Sequence, residues 1–330
     1  MTAKEYLLSL GFGEKKVDQI TKKISIKEAE EVDAKLNGYQ NLLGATRSEV
    51  VKMAKLVPAM LSYDIDSESP TSVKNKIVNY SKIFDILPEK VIRMVKNYPA
   101  LLCLDTISES KTSVKGKIKA YSKILSLDEE EVLSIIKMCP TLLDYGVQEE
   151  QSNVIYDKVM TFQEILGVDK SDVVKMIMRN PSLLCMDTIS EKPSSMKSKI
   201  KNLLKFVPVQ KIIENPTLLN CPPNRLKLRY LLLSDLHEDV FSTRYLMMSE
   251  QVSFARRCYL QERGIKPTVG KICASKMDFE RLYGEVDVAR YPITPEVVAK
   301  IEEAYKNRTG EEMLLNEAEK RATIENYEQF

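Results

Sequence analysis

The sequence predicts an all-α curved solenoid built on a 41-residue period, and three observations lead there. Prolines recur in "VPAML", "YPALL", "CPTLL", "NPSLL" and "NPTLL", at Pro58, Pro99, Pro140, Pro181 and Pro216, in three steps of 41 residues and a last step of 35. Around them, apolar residues hold register at offsets of 4 and 7, the spacing of one helix face. The composition also suits helices packed on helices: 44% of the 330 residues are apolar, 29% are charged, 11 are Gly and none is Trp. A chain of this length exceeds one globular core, and stacked repeats account for the excess because each unit needs only its neighbours to bury its apolar faces.

In chain order, residues 1–30 read as an N-terminal cap or half repeat, 31–220 as five repeats, 221–290 as degenerate C-terminal repeats and 291–330 as an acidic helical tail. Each repeat opens on a first helix, whose apolar face is marked by Val32/Leu36/Tyr39, Val73/Ile77/Tyr80, Val114/Ile118/Tyr121, Ile155/Val159/Phe162 and Met196/Ile200/Leu203. Ahead of it stand "SESPTS", "SESKTS" and "SEKPSS", where Ser can cap and Pro is tolerated in a first turn because its missing N–H would be unpaired there. A second, shorter helix carries Val91/Ile92/Val95, Val132/Leu133/Ile136 and Val173/Val174/Ile177. It stops at the proline, which biases the preceding residue away from helix. The "P-x-L-L" that follows reads as one tight helical turn plugging the gap between units. The last repeat, "SMKSKIKNLLKFVPVQKIIENPTLL", is six residues shorter between its helices, which should alter local curvature.

Two copies of one phrase, "YPALLCLDTISES" and "NPSLLCMDTISEK", invite a catalytic reading of Cys103, Asp105, Cys185 and Asp187. In register they are structural: the cysteines are expected in the core, and the aspartates at the caps of the following helices. The six cysteines have no CxxC spacing and fit a reducing, intracellular compartment, cytoplasmic for a bacterial protein and organellar only for a mature form. No run of about 18 apolar residues suggests a membrane span, and Glu5, Glu14 and Asp18 argue against a targeting segment. His237, the one histidine, sits between acids in "SDLHEDV" and reads as a surface residue. "GFGEKK" lacks the third glycine and the strand of a nucleotide loop. No catalytic residue, cofactor or metal site is expected, and the protein is expected not to be an enzyme.

Net charge is +2, but residues 291–330 hold nine Glu against five Lys or Arg, leaving the rest near +6. Lys35, Lys76, Lys117, Lys158 and Lys199 occupy one position of the first helix in five successive repeats, at the edge of its buried face. Stacked, they would form a ladder spaced by about 10 Å, able to follow a phosphate backbone. The competing reading is that their stems cover the margin of the apolar stripe. Their place in the first half of the helix, where the macrodipole disfavours cations, leans toward function. In the second helix, Lys52/Arg93/Lys175 and Lys55/Lys96/Lys137 complement the carbonyl end of their own helix. Lys74, Lys115 and Lys197 face about 100° away from the apolar side and read as solvated.

"ILGVDKSDVVKMIMRNPSLLCMD" and "NLLGATRSEVVKMAKLVPAML" resemble the repeat of the mitochondrial transcription termination factor (mTERF) family, strongly over residues 30–220 and more weakly over 221–285. The resemblance implies left-handed three-helix units, a positively charged concave path for double-stranded DNA or RNA, and roles in transcription regulation or termination, replication or ribosome assembly, without enzymatic activity. It also points to Arg225, Arg229, Arg256 and Arg257 as phosphate contacts, in a region with few acids where a planar guanidinium can bind bidentately. The expected partner is a nucleic-acid duplex bound by a monomer. The alternative is a protein-binding scaffold that engages a partner through its acidic tail or convex face.

Overall fold

The computed structural model describes residues 1–23, 27–146, 154–188, 190, 192, 195–236 and 248–310. Among these the protein is helical throughout; the only β pairing is an isolated bridge between Thr2 and Glu28. The chain divides into two compact units, Met1–Lys158 and Val159–Phe330, so the 31–220 repeat block crosses a boundary that the sequence periodicity did not mark.

In the first unit, α1 (Ala3–Ser9) and α2 (Glu14–Lys23) close the open end of the first repeat. Tyr6 donates to Asp33 at 2.6 Å, and Arg47 joins both groups. Three repeats follow as paired helices α3 (Ala29–Leu43) and α4 (Arg47–Leu56), α5 (Val73–Phe84) and α6 (Pro88–Asn97), and α7 (Val114–Leu125) and α8 (Glu129–Met138). Each pair ends in a five-residue 3-10 turn: Pro58–Ser62, Pro99–Cys103 and Pro140–Asp144. The residue before each proline, Val57, Tyr98 or Cys139, has φ near −130° and ψ near 75°, so the proline breaks the second helix at the same place each time. Neighbouring turns touch one another, and the second turn also packs on α4, as a plug between units should.

The caps follow the serine-rich loops. Ser72 and Ser113 cap α5 and α7 by accepting from Asn75 N (3.3 Å) and Gly116 N (3.1 Å). Pro70 lies ahead of the cap rather than in the first turn. Asp105 and Asp187 act one step earlier than expected: each carboxylate accepts from the backbone and hydroxyl of the serine three residues on, in the loop that leads to the cap, and Asp64 does the same in its repeat. The first helices end in a left-handed residue at Gly44, Asp85, Ser126 and Gly167, one repeat apart.

In the second unit, α9 (Val154–Leu166), which begins before the boundary, pairs in sequence with α10 (Lys170–Arg179) and the turn Pro181–Cys185. The last repeat is α11 (Met196–Leu203), α12 (Val209–Glu214) and the turn Pro216–Asn220. Its deletion shortens both helices, and α11 ends at Leu204 in a right-handed conformation. Beyond it come α13 (Pro223–Leu233), α14 (Glu250–Glu262), α15 (Val269–Ile272), α16 (Lys276–Tyr283) and α17 (Pro295–Thr309). Residues 291–310 pack against the fold. Tyr291, Ile293, Val298 and Tyr305 are buried, and α17 packs on α13. Gln251 fastens the approach to α17, donating to the Tyr291 carbonyl at 2.5 Å and accepting from Ile293 N at 3.3 Å. His237 and the acidic residues beyond Gly310 lie outside the described residues.

The core follows the predicted faces, with Val32, Leu36, Tyr39, Val73, Tyr80, Ile118, Phe162 and Ile200 all buried. Cys103 and Cys185 correct the expectation. They are exposed and half-buried, because the fifth residue of each turn points outward; Ser62, Asp144 and Asn220, at the same position, are exposed too.

Candidate nucleic-acid interface

Each 3-10 turn leaves carbonyls at its end that no following helical N–H can satisfy. The first helix of the same repeat supplies the donors. Tyr39, Tyr80 and Tyr121 donate to the carbonyls of Met60 (2.7 Å), Leu101 (2.8 Å) and Leu142 (2.7 Å), each 21 residues ahead. One turn earlier on the helix, Lys76 and Lys117 donate to the carbonyls of Leu102 and Leu143, each 26 residues ahead, and Lys35 reaches Tyr63 O at 2.7 Å. Lys76 and Lys158 also lie over the rings of Tyr63 and Tyr145, at 5.0 and 5.3 Å.

Lys35, Lys76 and Lys117 are therefore turned inward onto these carbonyls, so their ammonium groups serve the fold rather than standing open to a phosphate backbone. Lys117 and Lys158 are each only 5% exposed, and Lys35, Lys76 and Lys199 are half-buried. Burial pulls the Lys117 ammonium below the usual lysine range, and does the same to Lys76 against the opposing pull of Cys103 and Asp105. Lys35, Lys76 and Lys117 stand where their own helix dipole disfavours a cation because they serve the carbonyl end of the 3-10 turn.

The four arginines are likewise committed to the fold. Arg225 forms a two-pronged pair with Glu250, at 2.9 and 3.2 Å, and Arg229, 3% exposed, lies 2.9 Å from the same carboxylate. Arg256, 6% exposed, donates to the carbonyls of Ile272 (2.9 Å) and Ala274 (2.7 Å) and stacks over Phe279, 4.4 Å from the ring centre. Arg257 donates to Leu232 O. All four attach α14 to its surroundings. Only Arg225 keeps substantial exposure.

In the second helices, Lys96 binds across repeats to the Gly44 carbonyl at 2.7 Å, and Arg179 binds those of Ile213 and Glu214, both at 3.1 Å. Lys52, Arg93 and Lys175 remain exposed, with Lys175 3.0 Å from Asp172.

The exposed basic surface lies on the outer side of the first helices. On α7, Lys115, Lys119 and Lys123 stand at i, i+4 and i+8, and therefore on one face, about 6 Å apart along the axis. Helix α5 repeats it in part, with Lys74 and Lys82 on either side of Val78, and α11 carries Lys197 and Lys201, with Lys205 past its end at Leu203. Of these lysines, Lys115 and Lys197 are half-buried and the others exposed. Sequence reasoning stopped at the first member of each set. Stepping on by four from Lys74, Lys115 and Lys197 would have found the stripe. Loop carboxylates meet it: Glu68 lies 3.2 Å from Lys74, and Glu109 lies 3.1 Å from Lys115 and 2.6 Å from Lys119.

No group of three or more potential metal ligands occurs among the described residues, and none of their helices is long and apolar enough to cross a membrane. A search of curated proteins returned no match. The family model for mTERF matches residues 2–255, which takes in every repeat, the α13 region and the start of α14. On that match the chain belongs to the mTERF family, whose members are nucleic-acid-binding helical-repeat proteins.

Proposed function

We propose that this protein binds double-stranded nucleic acid, DNA or RNA, through the outer lysine stripes of its first helices, and that it acts in transcription regulation or termination or in ribosome assembly. The observation that carries this reading is the run Lys115, Lys119 and Lys123 along one face of α7, echoed by Lys74 and Lys82 on α5, more exposed than the buried ladder. Flexible ammonium groups in a row neutralise phosphates without reading bases, so affinity should depend on salt far more than on sequence. The inward lysines contribute indirectly by holding each repeat in shape.

A fluorescence-anisotropy titration of a generic duplex across a salt series tests the proposal. Affinity should fall steeply between about 50 and 200 mM salt, with a log–log slope of about −0.9 per phosphate contacted. Lys82→Gln with Lys123→Gln should weaken binding at little cost in thermal stability, although both lysines stand in the last turns of their helices. No binding at low salt, or a flat salt response, would reject it. The scaffold alternative draws on Met277 and Leu282, large apolar residues exposed on α16, and that outcome would favour it.

A further inference from the structure

The glutamates that meet the lysine stripe recur in register. Glu68 and Glu109 are one repeat apart, as are Lys74 and Lys115, and each glutamate stands six residues before its lysine in a serine-rich loop. Glu191 and Lys197 hold the same sequence positions, with Glu191 outside the described residues. Glu109 is placed most tellingly. Its two oxygens divide between two lysines of one helix face, Oε1 at 3.1 Å from Lys115 and Oε2 at 2.6 Å from Lys119. A non-bridging pair of phosphate oxygens would present the same two acceptors to the same two ammonium groups.

The close approach of the loop to α7 is built into the sequence. Gly116 lies where a Cβ would come within 1.9 Å of the Ser110 carbonyl, so only glycine lets the loop lie this close to the helix. In the preceding repeat Asn75 takes that position and ties its loop down by donating to Ser69 O at 2.8 Å. Two different local solutions thus bring the same glutamate to the same lysine.

Resting on the proposed duplex binding, we infer that Glu68 and Glu109 are internal competitors for the phosphate-binding lysines, occupying their ammonium groups until a phosphodiester backbone displaces them. Such a contact lowers affinity for isolated phosphates and for weakly charged ligands, and it favours a ligand that offers several phosphates at once. It sharpens discrimination without any base contact. Hydrogen bonds from Lys119 and Lys115 hold the Glu109 carboxyl below the usual range.

The test compares the full-length protein with Glu68→Gln/Glu109→Gln and with a control, Glu89→Gln/Glu130→Gln, which removes the same charge from exposed sites on the second helices. Each is titrated with a 20-base-pair duplex at several salt concentrations, with the melting temperature as a check on folding. The loop double variant should bind several-fold more tightly than the control at about 100 mM salt, with a salt slope steeper by about one to two contacts. Equal affinities for the two double variants would overturn the inference, since bulk charge alone would then explain any gain. If those two double variants bind equally while wild-type protein binds and Lys82→Gln/Lys123→Gln binds less tightly, duplex binding stands and the competitor idea alone falls. If no form binds the duplex at low salt, the functional proposal fails and the inference fails with it.

Discussion

Replacing Lys117 with Met keeps the aliphatic stem and removes only the ammonium that caps the Leu143 carbonyl. At 5% exposure, little water can take its place. Hydrogen bonds to charged groups contribute about 1.5–3 kcal/mol, and a buried acceptor left unpaired costs about 1–3 kcal/mol. Against this stands the relief of no longer burying a charge, shown by the downward shift of the Lys117 ammonium. The net expectation is a loss of about 1–3 kcal/mol, which for a compact unit of this size lowers the melting temperature by roughly 2–4 °C per kcal/mol. Because repeat arrays distribute stability among neighbours, the loss should appear in the transition of the first unit, followed by chemical denaturation and calorimetry. Duplex affinity and its salt slope should not change. The exposed Lys123→Met should do the reverse, leaving the transition in place and reducing the slope by about one contact. If Lys117→Met unfolds with the wild-type midpoint, or if it alone flattens the salt slope, the structural reading of the ladder is wrong.

Three further outcomes are expected. Gly116→Ala drives a Cβ into the Ser110 carbonyl and should destabilise the first unit by about 1–3 kcal/mol in urea titrations, whereas Gly13→Ala, which meets open space, should not. Asp85→Gly and Ser126→Gly relieve φ values of 48° and 56°; the left-handed penalty of about 1–2 kcal/mol exceeds the entropic cost of glycine, about 0.5–1 kcal/mol, so each should raise the denaturation midpoint, and an unchanged or lower midpoint would count against the strain argument. Burial raises the Tyr39 and Tyr80 phenols above their ordinary value of 10.0. Above about pH 10 the unfolded chain therefore releases protons that the folded chain retains, and stability should fall as pH rises. Equilibrium denaturation between pH 8 and 11 should show a shallower alkaline decline for Tyr80→Phe, and an identical decline would remove these phenols as the cause.

Much of the architecture was legible because helical periodicity, serine caps and proline stops act within a few residues of one another. Pro58, Pro99 and Pro140 break their helices where the sequence says they should, and the face led by Val73, Ile77 and Tyr80 is buried. Cys103 was misplaced because its apolar neighbours Leu101 and Leu102 suggested a core run, while a 3-10 turn rotates its fifth residue outward. The site was less legible. Arg225, Arg229, Arg256 and Arg257 form a basic cluster in one dimension, but Glu250 and the Ile272, Ala274 and Leu232 carbonyls that claim them lie 16 to 25 residues away.

The sequence by itself determined the repeat, its helices and its buried faces, since each depends on a residue's own backbone preference and on neighbours at fixed short offsets. Only the tertiary structure decided what the lysines do. Lys117 and Lys119 are two residues apart on one helix, equal in charge and reach. One meets the carbonyl of Leu143 and the other meets solvent and Glu109, because a long flexible side chain is assigned its role by what packs beside it.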